Sequence, residues 1–203
     1  MIRKGHNKMK NFEKVILTDC DGVLLNWEYA FYIWMEQHGH HLKDNTDLTY
    51  DISNKYDLPI EEKRHLVRMF NQSASIGFLP PLRDAMHYVK EIHQKLGYTF
   101  HVITSLTTNE HAQKLRIRNL QKLFGETVFS KFIFLDTGED KDRIFKDTIY
   151  QDSGYIWIED KYENAVCGDK YGLNSCLMEH GHNMHVKEFP LFKNWQEIYE
   201  SLK

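Results

Sequence analysis

Val15-Ile16-Leu17-Thr18-Asp19-Cys20-Asp21-Gly22-Val23 is the stretch on which the fold turns. Aliphatic residues run into two acids and a glycine. A short apolar run closed by Gly reads as a buried parallel strand entering a tight turn. Two carboxylates one residue apart at the carboxyl end of such a strand lie where open α/β sheets place their chemistry. One acid can attack and the other can shuttle a proton. Their oxygens, with a nearby backbone carbonyl, can hold a hard cation such as Mg²⁺. The competing reading is an acidic surface turn; the aliphatic run and the glycine weigh against it.

Working outward, residues 27–38 are aromatic-rich, lack Pro and Gly, and predict a helix ended near Gly39. A polar stretch, 43–54, follows. Pro59 sits where a helix can begin, with Glu61 and Glu62 in its first turn and Leu66, Met69 and Phe70 on an apolar face. Pro80-Pro81 closes this section, so 27–78 reads as a small helical insertion. The α/β pattern then resumes. Leu82, Ala85, Met86, Val89, Ile92 and Leu96 form a helical stripe closed by Gly97. Phe100-His101-Val102-Ile103 predicts a strand ending at Thr104-Ser105. Ala112, Leu115, Leu120, Leu123 and Phe124 mark a helix closed by Gly125. Phe132-Ile133-Phe134-Leu135, Tyr155-Ile156-Trp157-Ile158 and Ser175-Cys176-Leu177-Met178 predict further strands, the second ending at Glu159-Asp160. Trp195, Ile198, Tyr199 and Leu202 predict a terminal helix.

Strands alternating with helices imply an α/β fold with a doubly wound parallel sheet. The expected division is a Rossmann-like core over 14–26 and 79–203, a helical cap over 27–78 inserted after the first strand, and a flexible basic N-terminus over 1–13. Three predicted strands end in reactive groups: Asp19/Asp21, Thr104/Ser105 and Glu159/Asp160. A parallel sheet brings all three ends to one edge.

Composition narrows the function classes. The chain has 203 residues, room for a core domain plus a small insertion. A net charge of −3 gives no global electrostatic case for a nucleic-acid polymer as partner. Arg3, Lys4, Lys8, Lys10 and Lys14 read as a solvated terminus or as a weak polyanion-binding arm. No apolar stretch approaches the ~20 residues of a membrane span, and no apolar segment follows the basic residues as a signal peptide requires. Cys20, Cys167 and Cys176 are odd in number and contain no CxxC pair, which fits a reducing, cytoplasmic setting. Histidines recur in His38-Gly39-His40-His41 and His180-Gly181-His182-Asn183-Met184-His185. Either segment can bind a transition metal, though neither lies on an HExxH-type helix.

Asp19-Cys20-Asp21-Gly22-Val23, Ile103-Thr104-Ser105, Lys141 in Glu139-Asp140-Lys141-Asp142, and Trp157-Ile158-Glu159-Asp160 followed by Asn164 together resemble the four motifs of the haloacid dehalogenase (HAD) superfamily of phosphohydrolases. The resemblance spans roughly 14–202. It implies that Asp19 attacks phosphorus to form an aspartyl-phosphate, and that Asp21 protonates the leaving oxygen and then activates water. It further implies that Thr104 and Ser105 bind the phosphoryl oxygens and that Lys141 balances their charge. Mg²⁺ is the implied cofactor, held by Asp19, the Asp21 carbonyl and Asp160, with Glu159 supporting that site. Lys131 and Lys146 compete with Lys141 for the lysine role.

The insertion falls where the superfamily's cap selects substrate. The Asp-x-Asp-Gly-Val-Leu opening, Trp27, Pro81-Leu82, the Thr104-Ser105 pair and Trp195 are similar to features of the 5′(3′)-deoxyribonucleotidases. Glu159-Asp160 departs from their two aspartates, and the stretch from Lys141 to Asp160 is longer than theirs. Trp27 and Phe78 flank the cap hinges and are candidates to stack a nucleobase. Phe31, Trp34 and Phe70 read instead as cap packing. The implied function is Mg²⁺-dependent hydrolysis of a small phosphomonoester, led by a (deoxy)nucleoside monophosphate. A sugar-phosphate phosphatase or phosphomutase on the same scaffold is the alternative. From a different class, so is a non-catalytic metal-binding protein using the His-rich segments.

Overall fold

A computed structural model of the chain describes residues 14–43, 55–147 and 149–203. The basic segment through residue 13 and most of the polar stretch, 44–54, lie outside the described residues.

Six strands form one sheet: β1 (Lys14–Thr18), β2 (Tyr98–Ser105), β3 (Phe129–Leu135), β4 (Ile156–Glu159), β5 (Asn174–Met178) and β6 (Leu191–Phe192). Their order is β3-β2-β1-β4-β5-β6, and every neighbouring pair is parallel. β1 is central because its side chains are apolar on both faces, as a parallel strand covered by helices on both sides requires. Ile16 points into one apolar cluster; Val15 and Leu17 point into the other, with Ile103, Phe145 and Trp157. The chain builds β2 and β3 on one side of β1, then crosses to β4 on the other. That reversal opens a crevice at the carboxyl ends of β1 and β4.

The helices are α1 (Trp27–Gln37), α2 (Ile60–Gln72), α3 (Ala85–Leu96), α4 (Glu110–Phe124), α5 (Asp142–Phe145), α6 (Tyr162–Lys170) and α7 (Trp195–Ser201). Side chains cap several of them. Asn26 Oδ1 accepts from Tyr29 N–H at 3.1 Å to start α1, and Asn109 Oδ1 accepts from His111 and Ala112 N–H at 2.9 and 3.2 Å to start α4. Pro59 stands at the start of α2 and left-handed Gly97 ends α3.

The sequence pattern places β2 and β3 two to three residues late, and it omits α5, α6, β6 and a 3₁₀ turn at Ala74–Gly77. β6 has two residues and α5 one turn, too short for a periodic signal. α6 is part polar and carries Gly168, which lowers its helical signature.

Between β1 and β2, the described residues of 27–78 form α1, α2 and the 3₁₀ turn. Phe31, Trp34, Tyr56, Leu66, Phe70 and Ile76 are buried and belong to the same apolar cluster as Val23, Leu24, Val89 and Leu120. The described residues of the helical insertion therefore extend the apolar cluster on one face of the sheet.

Gly168 shows how tightly the opposite face is packed. A Cβ there would stand 2.5 Å from Trp157 Cδ1 and 2.7 Å from Ser175 Oγ. Helix propensity favours Ala over Gly by about 1 kcal/mol, whereas overpacking a filled core costs roughly 1–3 kcal/mol. Gly168→Ala is expected to lower Tm. A rise would show that Trp157 can give way.

Candidate active site

The site forms where β1, β2 and β4 end. Asp19 follows β1, and its N–H donates to Ile158 O of β4 at 2.9 Å. A tight turn then reverses the chain, with Leu24 and Leu25 N–H both donating to Cys20 O at 2.9 Å. Gly22 takes φ +74°, and a Cβ there would lie 2.3 Å from Asp160 Oδ2. Only glycine fits between the loops that follow β1 and β4.

Lys141 is the hub. It is 1% exposed, and its Nζ lies 2.9 Å from Asp19 Oδ2 and 2.5 Å from Glu159 Oε1. Lys131 and Lys146 stand elsewhere, over the rings of Tyr150 and Tyr171. Cys20 N–H donates to Asp19 Oδ1 at 2.7 Å, fixing that carboxylate's plane. Glu159 is saturated: Oε1 also accepts from Asn164 Nδ2 at 2.6 Å, and Oε2 accepts from the N–H groups of Asp160 and Lys161 at 2.7 and 2.9 Å. These bonds occupy Glu159 with holding Lys141 and the turn after β4.

The charges are strongly perturbed. Burial raises Asp19 to about 7; Lys141 opposes this, while Glu159 and Asp21 add to it. Burial also raises Asp160 well above the carboxylate range, helped by the charges of Glu159 and Asp19. For Glu159 burial pushes upward too, but Lys141 and the turn N–H groups outweigh it and hold the group at about 2. Ligand oxygens of Asp19, Glu159 and Asp160 all lie within 4.8 Å of one another. With Glu159 occupied by Lys141 and its own turn, Asp19 and Asp160 offer hard carboxylate oxygens beside a glycine cradle, a donor set that fits a hard divalent cation such as Mg²⁺.

Asp21 faces the same cavity but answers to a different cation. Arg116 of α4 is fully buried and donates from Nη1 to Asp21 Oδ1 and, at 3.1 Å, to Cys20 Sγ. Its Nε and Nη2 have no hydrogen-bond partner among the described residues. Sequence reasoning missed Arg116. The signal was there: it sits midway between Ala112 and Leu120 on the apolar stripe of α4, where a charge requires a buried partner.

The cavity above these groups measures about 730 Å³. Asp19, Asp21, Thr104, Ser105, Lys141 and Asp160 line it from the sheet edge; Trp27, Lys55 and Asn71 line it from the helical insertion. Ser105 Oγ donates to Glu139 O at 2.9 Å, and Thr104 is 1% exposed. Trp27 stacks on Phe31 at 4.8 Å and donates from its indole N–H to Asn71 Oδ1 at 2.9 Å. Phe78 is not brought to the cavity; it is 75% exposed outside the lining. Phe31, Trp34 and Phe70 are buried against one another. His180 and His182 also line the cavity. Burial lowers both below the usual imidazole range.

No family model matches the sequence. Over 150 residues the chain is 27% identical to an uncharacterized 32.4 kDa protein from the Gp30-rIII intergenic region of Enterobacteria phage T4; the match covers 71% of this chain. The chain spans about half, 53%, of that relative's length. Among solved structures it is similar to a haloacid dehalogenase-like family protein from Streptococcus pneumoniae, with TM-score 0.64 and 12% identity over 94% of this chain and 99% of the other. CbbY from Rhodobacter sphaeroides, solved with phosphate, gives TM-score 0.58 and 16% identity over 92% and 96%. The D,D-heptose 1,7-bisphosphate phosphatase from B. bronchiseptica, complexed with magnesium and phosphate, gives TM-score 0.57 and 12% identity over 93% and 97%. The chain shares its fold, a six-stranded parallel sheet flanked by helices, with the haloacid dehalogenase-like structure from Streptococcus pneumoniae. Among the described residues no helix is long and apolar enough to cross a membrane.

Lys141→Met should expose the electrostatics of this site directly. Removing one partner of a buried charge cluster costs about 3–5 kcal/mol. The sign with pH follows from the shifts. Without Lys141, Asp19 and Asp160 rise further above their unfolded values, and Glu159 loses what holds it down. Each change costs stability only where the unfolded carboxyls are ionised. The stability gap to wild type in chemical denaturation should therefore be wide at about pH 8 and narrow toward pH 4. A gap independent of pH would mean that Lys141 acts by packing alone.

Proposed function

We propose that this protein is a Mg²⁺-dependent phosphohydrolase that removes phosphate from a small phosphomonoester through an aspartyl-phosphate on Asp19. The observation that carries the reading is Lys141, buried between Asp19 and Glu159 at the edge where Thr104, Asp21 and Asp160 also meet. An enzyme that brings a carboxylate to a phosphate dianion must offset the repulsion of two anions, and a desolvated ammonium in contact with the nucleophile does so.

In this reading Asp19 Oδ2, beside Lys141, belongs to the attacking carboxylate. Asp21 gives a proton to the leaving oxygen and takes one from water in the second step. Burial raises Asp21 from its ordinary value, against the pull of Arg116 and, less, of Lys141. Thr104 and Ser105 bind the phosphoryl oxygens from β2. Mg²⁺ would be held by Asp19, the Asp21 carbonyl and Asp160, with Glu159 in support, and would supply charge neutralisation to the phosphoryl group. The fold shared with phosphate-bound HAD structures supports this reading.

For the leaving group we infer a (deoxy)nucleoside. A cavity of about 730 Å³ has room for one, and Trp27 lines it with Asn71 and Lys55. The described part of 27–78 supplies that wall, which supports its role as a substrate-selecting cap. Phosphate release from a panel of nucleotides and sugar phosphates separates this substrate from its sugar-phosphate alternative.

Asp19→Asn is expected to abolish phosphate release while leaving the fold intact, and exhaustive chelation should silence the wild type until Mg²⁺ is restored. Near wild-type turnover by the folded Asn variant would remove the covalent mechanism. Trp27→Ala should lose about ten- to hundredfold in kcat/KM on a deoxynucleoside monophosphate, equivalent to about 1–3 kcal/mol of lost stacking. The loss on a small phosphate ester should be much less. Equal losses on both substrates would assign Trp27 to cap packing only.

A further inference from the structure

The segment His180-Gly181-His182-Asn183 follows β5 and forms part of the cavity wall, and phosphoryl transfer as derived above makes no use of it. Its side chains reach main-chain carbonyls of two different loops. His180 Nε2 donates to Gly22 O at 2.7 Å. His182 Nε2 donates to Asp160 O at 3.0 Å. Asn183 is 1% exposed; its Nδ2 donates to Asp160 O at 2.8 Å and to Met178 O at 2.8 Å, and its Oδ1 accepts from His180 N–H at 2.8 Å. A carbonyl oxygen can only accept, so both rings carry their proton on Nε2. The rings stack at 5.4 Å and 11°. One short segment thus grips the loop after β1 at Gly22 and the loop after β4 at Asp160.

Those two loops need gripping. The ladder between β1 and β4 ends at Thr18 and Ile158, and the last backbone bond across it is Asp19 N–H to Ile158 O. Beyond that bond, three acids stand within 4.8 Å of one another. Lys141 ties Asp19 to Glu159 across the two loops, but Asp160, the third acid, has no ion pair among the described residues, so no charge contact ties the loops at Asp160. Gly22 and Asp160 are nevertheless in close contact, with no room for a Cβ between them. Hydrogen bonds to backbone carbonyls supply a tie at that point without adding charge to the site. These bonds commit the Nε2 atoms of His180 and His182 to carbonyls.

We propose that His180, His182 and Asn183 are positioning residues, forming a clasp that holds the Gly22 and Asp160 loops at the separation a divalent cation requires and so sets the affinity of the site for Mg²⁺. The proposal rests on the cation-binding part of the function proposed above and not on the hydrolysis itself.

The test is Mg²⁺ binding by titration calorimetry, without any phosphate ester present, on variants whose fold is checked by circular dichroism. His180→Phe and His182→Phe keep a flat ring but lose the N–H. His180→Gln and His182→Gln keep an N–H donor at a similar reach. The phenylalanine variants are expected to weaken Mg²⁺ binding roughly ten- to hundredfold, the usual effect of removing a group that orients a metal ligand. The glutamine variants should recover most of that loss. Should a phenylalanine variant fail to fold, His180→Ala and His182→Ala make the same comparison. Wild-type affinity in the folded phenylalanine or alanine variants overturns the clasp, and so does a glutamine variant as weak as its phenylalanine counterpart. A wild-type protein that binds no Mg²⁺ overturns both the clasp and the cation assignment. A wild type that binds Mg²⁺, with variants that behave as expected, but that hydrolyses no phosphate ester leaves the clasp standing and removes the phosphohydrolase reading alone.

Discussion

Burying an ammonium is costly, and the site is organised around one that is buried. Lys141 has almost no contact with water, and only its two carboxylate partners make that tolerable. The constraint propagates outward. Asp19 must stand at the end of β1 and Glu159 at the end of β4, on adjacent strands, for one Nζ to reach both. Glu159 must stay ionised in a fully buried position, and it does so by accepting from Lys141, Asn164 and two backbone N–H groups of its own turn. The aromatic face of Trp157, 4.8 Å from Nζ, completes the surroundings of the ammonium.

This arrangement needs the strand order that the chain adopts. With β2 and β3 on one side of β1 and β4 to β6 on the other, the β1 and β4 loops leave the sheet in opposite directions and open a crevice between them. The helical insertion leaves from the β1 loop and returns before β2, so it arches over that crevice. It is welded there by apolar packing continuous with the sheet's own core, and by Asn71, whose Nδ2 donates to Leu106 O just beyond the Thr104-Ser105 pair. The same Asn71 accepts from the Trp27 indole. A single buried amide therefore connects the wall of the cavity to the strand end beneath it.

What was legible in the sequence follows from what has a local signature. β1 and the acids after it are visible because an aliphatic run closed by Asp-x-Asp-Gly has a local signature. The strand-end groups of β2 and β4 are visible because each closes an apolar run, and Lys141 follows from family resemblance and not from any local pattern. Arg116 left a signal on the apolar stripe of α4, but its partner, the role of Asn71 and the carbonyl-binding role of His180 and His182 were not legible. Their partners lie 95, 35, 158 and 22 residues away in the chain, and neither periodicity nor spacing reports a contact at that range. Phe78 looked suited to the cavity because it stands beside a hinge, yet position along the chain does not fix the direction of a side chain; this one faces solvent.

The two acids of Asp19-Cys20-Asp21 are two residues apart, and each is in contact with a different cation. Lys141 approaches Asp19 from beyond β3; Arg116 approaches Asp21 from α4. Both acids line the same cavity, and the cation each contacts distinguishes them. Lys141 is divided between two carboxylates, whereas Asp21 is the one carboxylate that Arg116 meets among the described residues. A guanidinium cannot give up its proton at any pH the protein survives, so its charge beside Asp21 is permanent. Burial raises Asp21, and Arg116, with a smaller contribution from Lys141, pulls it back. On the function proposed here, that balance is what a group asked first to donate and then to accept a proton requires, while its neighbour two residues earlier attacks as an anion.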